Sequence, residues 1–266
     1  MSSIIHIDSA DDPLISGYRN IRDRDLARND GLFIAEGKVV LRVLLETQRF
    51  EPVSVLALEN RLEGLGEILA AAPADLPVYI ADASVMDTIA GFHMHRGVLA
   101  LARRPAPQPV ARLVAALPEN ALLVALVGIS NHDNIGGIFR NAAAFGADAV
   151  LLDKTCCDPL YRKAIRVSVG GVLKVPFATA SNWRELCLAL DTGGFRQLAL
   201  TPSGMLDISE VSPGDRTALY FGTEGEGLPA ELMARMEGVR IAISPGFDSL
   251  NVAASSAIAL HRLSAR

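Results

Sequence analysis

The fold is decided by residues 121–146, which read ALLVALVGISNHDNIGGIFRNAAAFG. The continuous apolar run over residues 122–129 is typical of a strand that is covered on both of its faces. Residues 131–134 form a polar turn, and residues 135–145 predict a helix that Gly146 ends in the usual C-terminal position. A covered strand followed at once by a helix predicts an α/β domain with a mainly parallel sheet.

The rest of the second half repeats this pattern of short apolar runs separated by helical segments. Four further runs predict strands, at residues 149–152, 197–200, 218–221 and 239–243. Ligands of parallel sheets bind at the carboxyl ends of the strands. Three polar or glycine-rich segments follow such ends, and we therefore expect the chemistry there.

A run of alternate prolines divides the chain. Pro105, Pro107 and Pro109 favour extended backbone and exclude helix and central strand. We predict three regions of ordinary domain and linker size: an N-terminal domain over 1–102, a linker with a leading helix over 103–118, and a C-terminal domain over 119–266. In the N-terminal domain, short apolar runs predict strands at residues 53–58, 78–80 and 98–101. Apolar residues at helical spacing predict a helix over residues 38–45.

Composition excludes several classes of protein. The chain has 266 residues, 50% of them hydrophobic, with a net charge of -5, so it is not intrinsically disordered. Its apolar runs are far shorter than the roughly 20 residues that a membrane-spanning helix needs. The early acidic residues do not resemble a signal peptide, and three cysteines form no closed disulfide framework, so we expect a reducing cytoplasm and no membrane. We interpret Cys156 and Cys157 as packing residues, and we expect no metal at His93 and His95.

The first candidate segment runs from Asn131 to Arg140. Asparagines suit the N-terminus of a helix, whose free backbone N–H groups favour an anion. Gly136, Gly137 and Arg140 share one helix face, so the arginine projects beside a surface that lacks side chains. The alternative is a tightly packed helix that carries an ordinary exposed arginine.

The second and third segments follow later strands. The second, over residues 222–228, reads GTEGEGL, and its glycine spacing matches neither a dinucleotide fingerprint nor a phosphate-binding P-loop. Two carboxylates would repel phosphate, so this bare backbone suits a neutral or cationic small molecule, or is a plain turn. The third, over 241–252, leads through a Pro-Gly turn into a helix that we expect to end near Leu263, with Asp248 or Ser249 at its N-cap.

The order and spacing of the three segments resemble the motifs of the SpoU (TrmH-type) RNA 2′-O-methyltransferases of the SPOUT class. The motif N-x-G-x-x-x-R-x-A matches residues 134–142, and G-x-E-G-x-G-L matches residues 222–228. The third motif, I-P-M followed by S-L-N-V-x-x-A, matches Ile241 and residues 249–252. Here Ala242 replaces the family's proline, which puts the shape of the cofactor loop in question. The resemblance covers about residues 119–266.

The resemblance implies a trefoil-knotted C-terminal domain and S-adenosylmethionine as the methyl donor. It also implies an N-terminal α/β domain similar to the family's ribosomal-protein-like substrate-binding domain, on a weaker match at Arg24, Leu26 and residues 33–37. By this resemblance the catalytic residues are Arg140, Asn134, Glu224, Ser249 and Asn251. The cofactor-binding residues are Thr201, Gly222, Ile241 and Leu250.

The implied activity is methyl transfer to a ribose 2′-hydroxyl, which needs no metal. A guanidinium has a pKa above about 12 and stays charged, so we expect Arg140 to clamp a phosphate and stabilise the developing alkoxide rather than act as the base. The alternatives are an RNA base methyltransferase of the same class and a SPOUT-fold RNA-binding protein without turnover.

The implied substrate is RNA, with ribosomal RNA favoured over transfer RNA. Two basic clusters on an acidic chain suit this polyanion: Arg19, Arg22 and Arg24 in the first half, and Arg162, Lys163 and Arg166 in the second. The first cluster is equally consistent with a solvated helix face paired with neighbouring aspartates. The family also implies a homodimer that forms through the C-terminal domain.

Overall fold

The computed structural model describes residues 4–19, 31–91, 94, 96–212, 214 and 216–264. Contacts divide the chain into two compact units, one of residues 1–106 with 160–174 and the other of 107–159 with 175–266. The second unit therefore does not run unbroken from residue 119, because residues 160–174 pack with the N-terminal unit. The position of the linker remains a prediction.

The N-terminal unit is built on a mixed sheet of five described strands, in the order β1-β4-β3-β5-β2. Strand β4 lies parallel to β1 and β3, and β5 lies antiparallel to β3 and β2. The strands are β1 Ile4–Ile7, β2 Leu32–Glu36, β3 Glu51–Leu58, β4 Val78–Ala81 and β5 Val98–Arg103. The predicted strands at 53–58, 78–80 and 98–101 correspond to β3, β4 and β5.

Helices pack on this sheet, and their buried apolar residues contribute to the core of the N-terminal unit. They are α1 Lys38–Thr47, α2 Gly66–Leu69 and α3 Ala83–Ala90, with short 3-10 turns at Pro13–Tyr18, Glu59–Arg61 and Glu63–Leu65. Gly37, with a φ of 106°, turns the chain sharply from β2 into α1, a conformation that favours glycine. Phe33 of β2 packs edge-on against Phe50, with ring centroids 5.2 Å apart.

The C-terminal unit is built on a sheet whose seven described strands pair only in parallel, in the order β10-β12-β9-β11-β6-β7-β8. The prediction of a mainly parallel sheet is confirmed. The strands are β6 Ala121–Leu126, β7 Ala149–Asp153, β8 Phe177–Ala180, β9 Arg196–Leu200, β10 Leu206–Asp207, β11 Arg216–Phe221 and β12 Glu237–Arg240.

The helices of the second half are α4 Val110–Ala115, α5 His132–Ala144, α6 Arg162–Val167, α7 Gly171–Lys174, α8 Trp183–Thr192, α9 Ala230–Met233 and α10 Val252–Leu263, with a 3-10 turn at Ile208–Glu210. Helices α6 and α7 belong to the N-terminal unit, and the others to the C-terminal unit. Apolar residues of α4 and α8 pack in one core cluster with Leu123 and Ala125 of β6, while α5 packs along α10. Both faces of β6 are buried, as its continuous apolar run predicts.

Three of the boundaries that differ from the sequence prediction bear on the segments after the strands. Helix α5 begins at His132 rather than at Ile135, because the side chain of Asn131 caps it by accepting a hydrogen bond from the N–H of Asp133. Strand β12 ends at Arg240 rather than at residue 243, since its neighbour β10 supplies only two paired residues. The N-cap of α10 is Asn251, and not Asp248 or Ser249.

Candidate active site

The carboxyl ends of the parallel strands surround a cavity of about 500 Å³ in the C-terminal unit. Its walls come from the segments that follow β9 and β11 and from the segment that leads into α10. They comprise Leu200, Thr201, Pro202, Ser203, residues 221–228, Met233, Asp248, Ser249, Leu250 and Val252. No lysine or arginine is among the described residues that line it. The lining carboxylates Glu224, Glu226 and Asp248 therefore give the cavity an acidic rim.

The loop after β11 closes tightly on itself around Gly222. The N–H of Thr223 donates to the carbonyl of Gly227 at 3.3 Å, and the N–H of Gly227 donates back at 3.1 Å. A Cβ atom on Gly222 would lie 2.3 Å from the carbonyl carbon of Gly227, closer than real Cβ contacts allow. A glycine is therefore required at 222, whereas a Cβ on Gly225 meets nothing within 4 Å.

Three polar side chains from three different segments form one hydrogen-bonded cluster. The Nδ2 group of Asn134, on α5, donates to Oε1 of Glu224 at 3.0 Å. The Nδ2 group of Asn251 donates to the same Oε1 at 2.8 Å and to Oδ1 of Asn134 at 2.9 Å. Asn134 is buried and Glu224 is exposed beside the cavity. The two amides thus fix one carboxylate oxygen of Glu224 and leave the other toward solvent.

Asn251 serves the cluster and its own helix at the same time. Its Oδ1 accepts hydrogen bonds from the N–H groups of Ala253 and Ala254, at 2.9 and 3.2 Å, which caps α10. Because Oδ1 is used by the helix cap, Asn251 has only its Nδ2 group to offer to Asn134 and Glu224. The cap therefore fixes the amide with its NH₂ group toward the cluster. This arrangement explains why asparagine is suited to a position that a generic N-cap would fill with serine or aspartate.

Close packing of α5 on α10 holds the cluster in place. A Cβ on Gly137 would lie 2.7 Å from the Cβ of Ala253, so the missing side chain allows the two helices to approach. One turn further, the Nδ2 group of Asn141 donates to the carbonyl of Ala253 at 2.7 Å and to Oγ of the fully buried Ser256 at 2.9 Å. The sequence analysis did not single out Asn141, although its spacing of four from Gly137 places it on the same face.

A buried carboxylate supports the cavity from the neighbouring strand end. Oδ1 of Asp153, the last residue of β7, accepts hydrogen bonds from the N–H of Gly128 at 3.1 Å and from the hydroxyl of Thr155 at 2.7 Å. A Cβ on Gly128 would meet Cγ2 of Thr223 at 2.8 Å, so this contact reaches the Gly222 loop. Burial, with the nearby Asp153 charge, raises the pKa of the Cys156 thiol to about 12, which agrees with a packing role.

The predicted cofactor residues lie together. Thr201, Gly222 and Leu250 line the cavity, and Ile241 lines an adjoining recess that also contains Thr201 and Leu250. Ala242, which replaces the family's proline, is exposed next to this recess. Of the predicted catalytic residues, Glu224 and Ser249 line the cavity, and Asn134 and Asn251 join through the hydrogen bonds to Glu224.

Arg140 does not join them within this chain. It is exposed on α5 and is not among the residues that line the cavity. It follows Asn134 by six residues, which turns it about 120° around the helix axis and moves it about 9 Å along that axis. Arg140 is thus outside the lining of this cavity, and its meeting with the Gly222 loop in one cleft stays a prediction.

The predicted RNA-binding residues that the structure describes belong to the N-terminal unit. Arg19 donates to the carbonyl of Asp12 at 2.7 Å and lies 3.8 Å from the carboxylate of Asp11. Arg162 and Arg166, on α6, both contact the carboxylate of Glu36, and Lys163 is exposed between them. Arg22 and Arg24 lie outside the described residues, as do His93 and His95.

The cavity fits the adenosyl methyl donor that the motifs imply. Its volume of about 500 Å³ is within the usual range for small-molecule sites. Leucine and valine side chains offer an apolar surface, the Gly222 loop offers bare backbone, and the carboxylates suit a sulfonium cation. Within the described ranges, no three His, Cys, Asp or Glu side chains form a metal-binding group.

Known proteins resemble this chain over most of its length. A family model described as the SpoU rRNA Methylase family matches residues 121–261. An uncharacterized tRNA/rRNA methyltransferase of Mycobacterium bovis is 42% identical over 94% of this chain and 88% of its own length. A 23S rRNA (adenosine(1067)-2′-O)-methyltransferase of Streptomyces laurentii is 32% identical over 76% of this chain and 74% of its own length. The structure of an AdoMet-bound rRNA methyltransferase from Sinorhizobium meliloti superposes with a TM-score of 0.83, at 23% identity, covering 98% of this chain and 97% of that one.

The chain belongs to the SpoU rRNA methylase family. The resemblance drawn from the three motifs is thereby confirmed, and so is an α/β fold that matches the SpoU methyltransferase structures. S-adenosylmethionine is the cofactor of this family. Across the part of the chain that the structure describes, no helix is both long and apolar enough to span a membrane.

Proposed function

We propose that this protein transfers a methyl group from S-adenosylmethionine to a ribose 2′-hydroxyl of structured RNA, with ribosomal RNA favoured over transfer RNA. The observation that carries the proposal is the cluster of Asn134, Glu224 and Asn251 beside the cavity. The named activity of the Streptomyces laurentii relative supports the ribose hydroxyl and the ribosomal substrate.

The cofactor would be held by Thr201, Gly222, Ile241 and Leu250. When bound, it supplies a methyl group on a sulfonium, which an oxygen nucleophile displaces in line. The backbone of the Gly222 loop and the apolar walls would hold the adenosyl part and exclude water. The chain's remaining task is to align the ribose hydroxyl with the methyl group and to stabilise the charge that develops on the oxygen.

The cluster would align the ribose. Oε1 of Glu224 is occupied by two amide donors, so the side chain has one defined orientation and presents Oε2 to a hydroxyl. Ser249 lines the cavity two residues before Asn251 and offers a further hydroxyl to the sugar. Asn134 is in the first turn of α5 and Asn251 is the N-cap of α10, and their hydrogen bonds hold Glu224, which favours precise positioning.

Arg140 would complete the site from a second copy of the chain. An apolar depression beside the cofactor recess contains the exposed residues Phe247 and Ile258, together with Ile243 and Leu250. A homodimer that covers this surface would bring Arg140 of the partner subunit to a cavity whose described lining contains no lysine or arginine. There the guanidinium would clamp an RNA phosphate and stabilise the alkoxide, while the hydroxyl proton leaves to solvent or to a phosphate.

The proposal is tested by nucleoside mass spectrometry of RNA from cells with and without the gene. We expect one 2′-O-methylnucleoside to be missing from large-subunit ribosomal RNA and to be restored by the purified protein with S-adenosylmethionine. Loss of a base-methylated nucleoside would instead identify a base methyltransferase. If no nucleoside changed and calorimetry showed no uptake of S-adenosylmethionine, the chain would be an RNA-binding protein without turnover.

A further inference from the structure

A carboxylate is buried among arginines in the N-terminal unit. Glu36, the last residue of β2, is only 4% exposed. Its Oε2 atom lies 3.2 Å from Nη1 of Arg162 and 3.7 Å from Nη1 of Arg166. The two arginines are four residues apart on α6, so they project from the same helix face.

Both arginines pair with the same carboxylate. One carboxylate faces two guanidiniums, and a buried carboxylate is costly unless it is paired, which explains why both arginines turn toward it. The arginine side chains nevertheless keep contact with solvent, with 20% of Arg162 and 35% of Arg166 exposed. Part of each arginine side chain therefore remains within reach of a ligand at the surface.

The backbone that carries the two arginines is fixed as well. The hydroxyl of the buried Ser168 donates to the carbonyl of Ile165 at 2.8 Å and accepts from the N–H of Val172 at 3.3 Å. These bonds set the corner between α6 and α7. At that corner Gly170, with a φ of 85°, lies so close to Val43 of α1 that a Cβ would approach it to 3.1 Å. Helix α6 thus packs on β2, and the corner that follows it packs on α1, so packing as well as charge holds the two arginines.

We propose that Glu36 is a positioning residue for RNA binding, which holds Arg162 and Arg166 as a pre-organised pair for a backbone phosphate. This inference rests on the proposed function, because it takes RNA as the substrate. A free arginine loses side-chain freedom when it binds phosphate, whereas an arginine already held by a buried carboxylate has less to lose. Glu36 would strengthen RNA binding although it carries the same sign of charge as RNA.

The sign of the effect distinguishes positioning from plain electrostatics. Glu36→Gln raises the net charge of the protein by one, so a surface that binds RNA only through its total charge must bind more tightly. We expect the opposite, that the Kd for a large-subunit ribosomal RNA transcript rises about fivefold. The slope of log K against log salt concentration should also become shallower, by the amount that corresponds to the loss of about one phosphate contact. Unchanged or tighter binding by Glu36→Gln would overturn the inference.

Glu237→Gln is the matched control. Glu237 is paired with Arg196 at 2.6 Å on the exposed surface of the C-terminal unit, so its substitution adds the same charge away from the arginine pair. We expect its Kd for the transcript to stay the same or to fall slightly. Weakening equal to that of Glu36→Gln would show that loss of any ion pair has this effect, which would also overturn the inference.

Two further measurements separate positioning from loss of folding. Arg166→Lys keeps the charge but loses the forked geometry, and we expect a weaker Kd with an unchanged Tm; wild-type affinity would contradict the pairing. In an Arg162→Gln, Arg166→Gln background, Glu36→Gln should add no further loss, because its effect passes through the two arginines. An added loss there would assign Glu36 a purely structural role.

The proposed function is tested by a separate measurement, which is methyl transfer by the wild-type protein to the same RNA transcript. If the wild-type protein methylates it and Glu36→Gln binds normally, only the present inference is wrong. If the wild-type protein transfers no methyl group but the variants change RNA binding as expected, the inference about the RNA-binding surface is supported and the proposed methyltransferase activity is wrong. A wild-type protein that does not bind the transcript would overturn both.

Discussion

The two units carry opposite surfaces. In the C-terminal unit the cavity is rimmed by carboxylates and its described lining contains no cation. In the N-terminal unit a single buried carboxylate faces Arg162 and Arg166, with Lys163 exposed beside them. The net charge of -5 is thus a sum over surfaces that suit different ligands, a cationic cofactor and a polyanion. Total charge is a poor guide to partners when a chain divides the two tasks between units.

The two surfaces also differ in how they are fixed. The cavity depends on backbone that only glycine allows and on uncharged amides that orient one carboxylate. The basic surface depends on two arginines that one buried carboxylate holds in place. We expect substitutions at the cavity to affect cofactor binding and turnover, and substitutions at the basic surface to affect RNA affinity alone.

The largest effect is expected from Gly222→Ala. The added Cβ would lie 2.3 Å from the backbone of Gly227, so the loop must open and the cofactor cavity loses its shape. Calorimetry should show S-adenosylmethionine bound at least about 100-fold more weakly. In Gly225→Ala, in the same loop, the added Cβ meets no protein atom within 4 Å, so the loop keeps its conformation and the affinity should fall far less. Equal effects of the two variants would contradict the account of this loop.

The next effect is expected from Asn251→Ser, which keeps a cap for α10 but removes both amide donors. Because those donors orient the Glu224 carboxylate, kcat should fall about 30-fold, with a Tm close to the wild-type value. Asn251→Ala should lower kcat equally and also cost about 1 kcal/mol of stability through the lost cap. If Asn251→Ser retained wild-type kcat, the cluster would have only a capping role.

A purely structural effect is expected from Asn141→Ala. It removes the two hydrogen bonds from Asn141 that join α5 to α10, although the carbonyl of Ala253 still accepts one from the hydroxyl of Ser256. Chemical denaturation should show a loss of about 1–3 kcal/mol, with cofactor affinity changed far less. A large loss of affinity without loss of stability would place Asn141 in the binding site itself.

The smallest effect is an expected gain in stability from Val169→Asn. Val169 is exposed and has a φ of 53°, a left-handed conformation that disfavours a β-branched residue and that asparagine tolerates. The substitution should raise the unfolding free energy by about 0.5–1 kcal/mol. A loss of stability would mean that the Val169 side chain contributes packing that outweighs its strain.

Local patterns predicted the sheet of the C-terminal unit well. The apolar runs placed β6, β7, β9 and β11 within two or three residues of their observed bounds, because a strand covered on both faces leaves a continuous apolar signal. The ends of elements were less well predicted. The N-cap at Asn251 depends on hydrogen bonds to Asn134 and Glu224, which lie far away in sequence.

Long-range packing could not be predicted from local patterns. Nothing in residues 160–174 indicates that they pack with the N-terminal unit, since the reason lies in Glu36, more than a hundred residues earlier. The family motifs name Thr201, Gly222 and Leu250, which line one cavity, and their role as cofactor-binding residues stays a prediction. The motifs did not show that Arg140 lies outside the lining of this cavity, because a motif carries no information on which copy supplies a residue.

The completion of the site by a second copy is the central claim, and subunit complementation tests it most directly. Arg140→Ala and Asn251→Ser chains are co-expressed with different tags, and the hybrid dimer is purified through both. If Arg140 acts across the interface, one of the two sites in each hybrid is intact, and methyl transfer should return to about half of the wild-type rate. Activity no higher than that of the separate variants would contradict the claim.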